Sequence, residues 1–174
     1  MKDSFPQTRN VALIWNPETV RVASTTQASV NEAAQALGLR VQSYEVRDPA
    51  AIASAFTAIA EARPDALLVS ADPQVLEPNR ERIVANSRAQ RIPAMYPWRL
   101  YVQAGGLMSF GASIPGWHYR SASYIDRILR GALPGDLPIE QPTTYELVLN
   151  IRTARELGIS FPPSLLLRAN EVIE

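Results

Sequence analysis

Apolar runs of strand length, alternating with helix-length segments, constrain this chain more than anything else in it. Val11-Ala12-Leu13-Ile14-Trp15 is continuous and ends at Asn16-Pro17. Such shortness and such a stop describe a strand buried on both faces. Residues 40–46 alternate, with Val41, Tyr44 and Val46 apolar, and read as a second strand. Ala66-Leu67-Leu68-Val69-Ser70, closed by Ala71-Asp72-Pro73, and Ile92-Pro93-Ala94-Met95-Tyr96, closed by Pro97, are the third and fourth.

Helical patterns fill the intervals. Residues 20–37 place Val22, Val30, Ala33, Ala34 and Leu37 on one stripe, and Gly38 ends them. Asp48-Pro49 sets a cap before a helix-start proline, and 50–62 carries Ile52, Phe56 and Ile59 at helical spacing. A third helix is expected over 77–90. The order β-α-β-α-β-α-β implies an α/β fold with a mostly parallel sheet and right-handed crossovers. Ligands in such sheets sit beyond the carboxyl ends of the strands. That rule selects four tips: Asn16-Pro17, the turn after Val46, Ser70-Ala71-Asp72, and Tyr96-Pro97-Trp98.

The second half is less regular. It offers a Gly-bounded strand over 105–111, a helix over 119–129 with Tyr124, Ile125, Ile128 and Leu129 on one side, and a turn-rich connector over 131–138. A strand over 144–150, a short helix over 151–157 stopped by Gly158, and a last helical segment over 164–169 complete the chain.

Composition removes whole classes of function. Without cysteine there is no disulfide, thiol catalysis, thiolate zinc site or iron–sulfur cluster. A single histidine argues against a multi-His metal site. Lys+Arg and Asp+Glu are both 17, so the net charge of +0 offers no footprint for nucleic acid or an anionic membrane. Gly105-Gly106 and Gly111 flank an apolar strand rather than opening a helix, which argues against a phosphate loop. His118 has no Gly-x-Ser-x-Gly elbow to serve and reads as a surface or interface residue. No catalytic residue, cofactor or metal site is expected. A receiver-type module is disfavoured, because the only lysine, Lys2, lies outside the sheet and Trp15-Asn16 stands where its acids belong.

Asp72 is the most informative polar residue. It reaches the crevice end of a buried strand, where it can hold a ligand ammonium. It can equally make an Asx turn before Pro73. Tyr96 is expected to face a ligand and Trp98 to pack. Asn16 can contact a ligand or make its own turn, and Ser70 is a further contact candidate.

Arg91-Ile92-Pro93-Ala94-Met95-Tyr96-Pro97 and Gly105-Gly106-Leu107-Met108-Ser109-Phe110-Gly111 together resemble one transport family. So do Tyr124-Ile125-Asp126-Arg127-Ile128-Leu129-Arg130-Gly131-Ala132 and Thr144-Tyr145-Glu146-Leu147-Val148-Leu149-Asn150. The tail, Ala154-Arg155-Glu156-Leu157-Gly158-Ile159 with Pro162-Pro163-Ser164, extends the likeness. The family is the ABC transporter substrate-binding proteins related to tryptophan/tyrosine-uptake receptors. The resemblance implies a type I periplasmic-binding-protein fold of two Rossmann-like three-layer lobes, of which this chain looks like the second lobe and the tail. It implies three parts: 1–104 as the α/β ligand-binding lobe, 105–136 as a hinge strand and helix packed on a first lobe, and 137–174 as the return and tail.

It further implies binding of a small-molecule solute such as an amino acid, delivery to an ABC permease in the full-length protein, and a ligand set drawn from Asp72, Asn16, Ser70 and Tyr96. One lobe closes on nothing, so weak or absent affinity is expected of it alone. The helix over 119–129 is expected to fold back on its lobe or be buried in a homodimer. The family setting is periplasmic or extracytoplasmic. The chain as written carries no signal peptide, for which a cytoplasmic location is expected. The competing expectation is a stand-alone sensor or regulatory α/β module that dimerises through the lobe.

Overall fold

The computed structural model describes residues 5, 7–19 and 23–174, with the side chains of 23–26 left aside. Val22, placed on the first helical stripe, lies outside the described residues.

The first four strands form as the apolar runs require. β1 (Asn10–Trp15), β2 (Arg40–Glu45), β3 (Ala66–Val69) and β4 (Ala94–Tyr96) pair in the order β2-β1-β3-β4, all parallel. α1 (Ala23–Ala36), α2 (Ala51–Ala62) and α3 (Arg80–Ala89) make the crossovers. The Asp48 carboxylate accepts from the Ala51 N–H at 2.9 Å, so the expected cap is present at α2.

α4 (Arg99–Gln103) leads into β5 (Met108–Ala112), which lies parallel to β4. α5 (Ile114–Leu129) follows, then a short 3₁₀ turn at Pro134–Asp136. β6 (Tyr145–Asn150) returns antiparallel to β5. α6 (Ile151–Leu157) and α7 (Pro163–Leu166) connect it to β7 (Glu171–Ile173), its parallel neighbour. The seven strands make one sheet, β2-β1-β3-β4-β5-β6-β7.

Core residues fall into two clusters, and strand alternation explains the division. On one sheet face Ala12, Ile14, Leu67, Val69, Ala94 and Tyr96 pack against Ile52, Phe56 and Ile59 of α2, Ile83 and Val84 of α3, and Tyr101 of α4. Fully burying one such aliphatic or aromatic side chain contributes about 2 kcal/mol. The second cluster joins Met108, Leu147 and Leu149 to Ala154 of α6, Leu165 of α7 and Phe161.

α5 differs from the sequence expectation in its start and its packing. The helix begins at Ile114, not at 119, because Ser113 caps it, its Oγ accepting from the Gly116 N–H at 3.3 Å, and Pro115 suits a first turn. None of its residues is buried. It does not fold back onto the core, so that outcome is corrected. The helix instead borders a groove of about 590 Å³ shared with residues 134–144. The groove is held by an Arg120–Glu140 ion pair and by the Tyr124 hydroxyl donating to the Pro138 carbonyl at 2.8 Å. No helix among the described residues is long and apolar enough to cross a membrane.

Candidate functional site

The carboxyl ends of β1, β3 and β4 lie along one edge of the sheet, the edge where the sequence rule places a ligand. Asn16 and Asp72 hold the loops after β1 and β3 together. The Asn16 Nδ2 donates to Asp72 Oδ2 at 3.1 Å, and Asn16 Oδ1 accepts from the Glu18 N–H at 2.9 Å. Asp72 Oδ1 accepts from Gln74 N–H at 2.9 Å, and its Oδ2 accepts from Val75 and Leu76 N–H, both at 3.2 Å. The carboxylate therefore gathers four N–H donors, while Asp72 is 0% exposed.

This placement corrects the reading of Asp72 as a partner for a ligand ammonium. Its oxygens face backbone amides and Asn16, not the crevice. Its role is the other one weighed from sequence, an Asx-type turn that arranges 73–79 before α3. Asn16 is equally committed, with its amide bonded at both ends and the residue 3% exposed. Together they fix the β1 loop against the β3 loop, since a buried charge-assisted network is stable only when its lone pairs are met.

Tyr96 is also corrected. It is 1% exposed and stacks on Tyr101, with ring centroids 5.0 Å apart and planes 14° from parallel. Burial pushes its phenol well above the ordinary tyrosine value. It is a core residue beneath the tip. Gly106 lies under the same pair: a Cβ there would stand 2.6 Å from Tyr96 Cε2 and 2.7 Å from the Tyr101 carbonyl. Trp98, expected to pack, is only partly buried and rests on the edge of the core at the β4 tip. Ser70 is likewise partly buried, its N–H bonded to the Ile14 carbonyl at 2.9 Å.

Sequence reasoning missed a second feature of this edge. β5 continues past the last residue of β4, whose final pair is Tyr96 with Ser109. On that overhang Phe110 stacks on Tyr145 of β6, with centroids 5.6 Å apart and planes 15° from parallel. Phe110 is 51% and Tyr145 50% exposed, whereas Ser109 and Leu147 are buried. The signal in the sequence was a large aromatic on each strand, Phe110 in the middle of β5 and Tyr145 at the start of β6.

His118 is exposed on α5, as a surface histidine should be. Gly105 and Gly106 follow α4 and precede β5, so they open no helix. Among the described residues no three His, Asp or Glu side chains gather in a way that could hold a metal ion.

A family model described as ABC transporter substrate binding protein matches residues 1–173. Among solved structures, a conserved domain protein from Vibrio cholerae is similar with a TM-score of 0.89 and 24% identity, over 98% of this chain and 57% of its own. The ABC domain from Streptococcus pneumonia in complex with L-Trp is similar with a TM-score of 0.86 and 27% identity, over 99% of this chain and 59% of its own. A ligand-free, open substrate binding protein with adhesive properties from Clostridium difficile follows at 0.70 and 18%, over 99% and 57%. The chain thus spans less than two thirds of the length of the structures it matches. No curated protein matches it.

Proposed function

The chain belongs to the ABC transporter substrate-binding protein family, and from that premise we propose that it supplies one wall of a small-solute site for an ABC importer. The solute class is an amino acid, in line with the L-Trp held by the Streptococcus pneumonia protein. The role is binding, not catalysis, and the downstream partner is an ABC permease.

One observation carries this reading: α5, the longest helix among the described residues, has no buried residue while its apolar side chains stand in solvent. Trp117, Ile125, Ile128 and Leu129 are all exposed. A soluble protein rarely leaves such a stripe uncovered unless another surface mates with it. We assign that surface to a first lobe, equivalent to the part of the similar structures this chain does not match. Residues 1–104 are then the ligand-binding lobe, 105–136 the hinge strand and the helix lent to the first lobe, and 137–174 the return.

Contacts to the solute come from what the crevice edge leaves accessible: Ser70, Trp98 and the backbone around them, with Asn16 and Asp72 holding the loops behind. Half a site binds weakly. Titration of L-tryptophan into the isotope-labelled 174-residue chain should therefore shift the amides of Ser70, Ala71 and Trp98 only at millimolar concentration. Micromolar affinity for the single lobe, or shifts confined to amides away from these strand tips, overturns the reading.

A further inference from the structure

The segment leaving β4 does more than connect it to α4. Tyr96, Ser109, Val148 and Glu171 form one row across β4, β5, β6 and β7, as consecutive register partners. Partners in register point to the same face of a sheet, here the face that Tyr96 shares with Tyr101 of α4. On that face α4 packs over β5 and β6. Gly111, one alternation beyond Ser109, runs directly beneath the loop: an added Cβ would lie 1.9 Å from the Pro97 carbonyl oxygen. At the far side, Arg99 grips Glu171 with two parallel bonds, Nε to Oε2 at 2.5 Å and Nη2 to Oε1 at 2.9 Å. In sheet order β5 and β6 lie between the two anchor points.

We propose that residues 97–99 form a strap across β5 and β6 at the level where they run out past β4, seated on Gly111 and fastened by the Arg99–Glu171 pair, so that Arg99 and Glu171 are positioning residues for the exit angle of the two strands. The bidentate fork suits such a fastening, because it fixes direction as well as distance. Glu146, paired with Gly111 on β6, adds its negative field to Arg99 and so draws the guanidinium over the strands. Where β5 and β6 are hinge strands, the strap sets the angle from which the lobes close. That consequence rests on the two-lobe reading; the strap itself does not.

Hydrogen exchange on the 174-residue chain tests it, using Arg99→Ala, Glu171→Gln and the exchange of charges Arg99→Glu with Glu171→Arg. Each single variant should speed exchange at 109–112 and 145–147 about three-fold, the range of a half-exposed ion pair, and leave β1 and β3 unchanged. The exchanged pair should return the rates toward the parent. The parent protein at high salt should show the same local rise, which gives a readout free of any folding defect. Unchanged rates at those amides, a uniform rise across all strands, or failure of the exchanged pair to restore them each overturns the strap. The solute titration above reads different residues, so the two proposals fail separately.

Discussion

α2 and α5 are both amphipathic helices in the same chain. α2, with 12 residues, buries Ile52, Ala55, Phe56 and Ile59 against β1 and β3. α5, with 16, buries none. The difference is topological. α2 joins β2 to β3, parallel strands on either side of β1, so its connection must lay it on a sheet face. α5 lies between β5 and β6, which are antiparallel and already adjacent, so nothing forces the intervening helix back over the sheet. Apolar periodicity states that a face needs a partner. Only connectivity says whether the chain itself provides it.

That contrast can be pressed at three places. The largest effect belongs to the self-contained half: Asp72→Ala removes the acceptor of Asn16 and of three backbone amides, and should cost about 3 kcal/mol in urea unfolding. A loss under about 1 kcal/mol would mean that the β1 and β3 loops do not depend on the network. A smaller effect comes from Asp65. Its carboxylate accepts from the Asn10 and Arg9 amides at 2.8 and 2.9 Å, and these bonds hold its pKa below the ordinary aspartate value. Because the folded form binds its proton less readily than the unfolded form, the contribution is complete above the unfolded value and is lost as pH falls through the folded one. Stability should fall on acidification below about pH 4, and Asp65→Asn should flatten that slope. The smallest effect belongs to α5: Ile125→Ser with Ile128→Ser should change the stability of this chain by less than about 0.5 kcal/mol. A large loss would show that α5 is packed in solution after all.

Much of the parallel half was legible because burial on both faces leaves an unmistakable pattern. Val11 to Trp15, the run ending at Ser70, and Ile52, Phe56 and Ile59 are all placed as their spacing requires. The misses have specific causes. β7 has three residues, too few for any periodicity. α4 is a five-residue helix that starts directly after Trp98, whose side chain makes no capping bond, so its start carries no cap signal. Pro115-Gly116 resembles a turn, yet a Ser113 cap converts it into a helix start. At the candidate site, strand-tip position was readable but side-chain direction was not. Asp72 and Tyr96 turn inward because the amides of 74–76 and the ring of Tyr101 await them there. Phe110 and Tyr145 escaped notice because their pairing depends on an antiparallel register that no local pattern announces.

The bare backbone at Gly111 ties two parts of the molecule into a single design unit. With a carbonyl resting on it, β5 can accept a side chain there only if the turn after β4 is rebuilt to stand higher. Anyone reshaping the mouth of the crevice, whether to widen it for a bulkier solute or to tighten it, must therefore redraw loop and strand together, since altering either alone breaks the fit of the other.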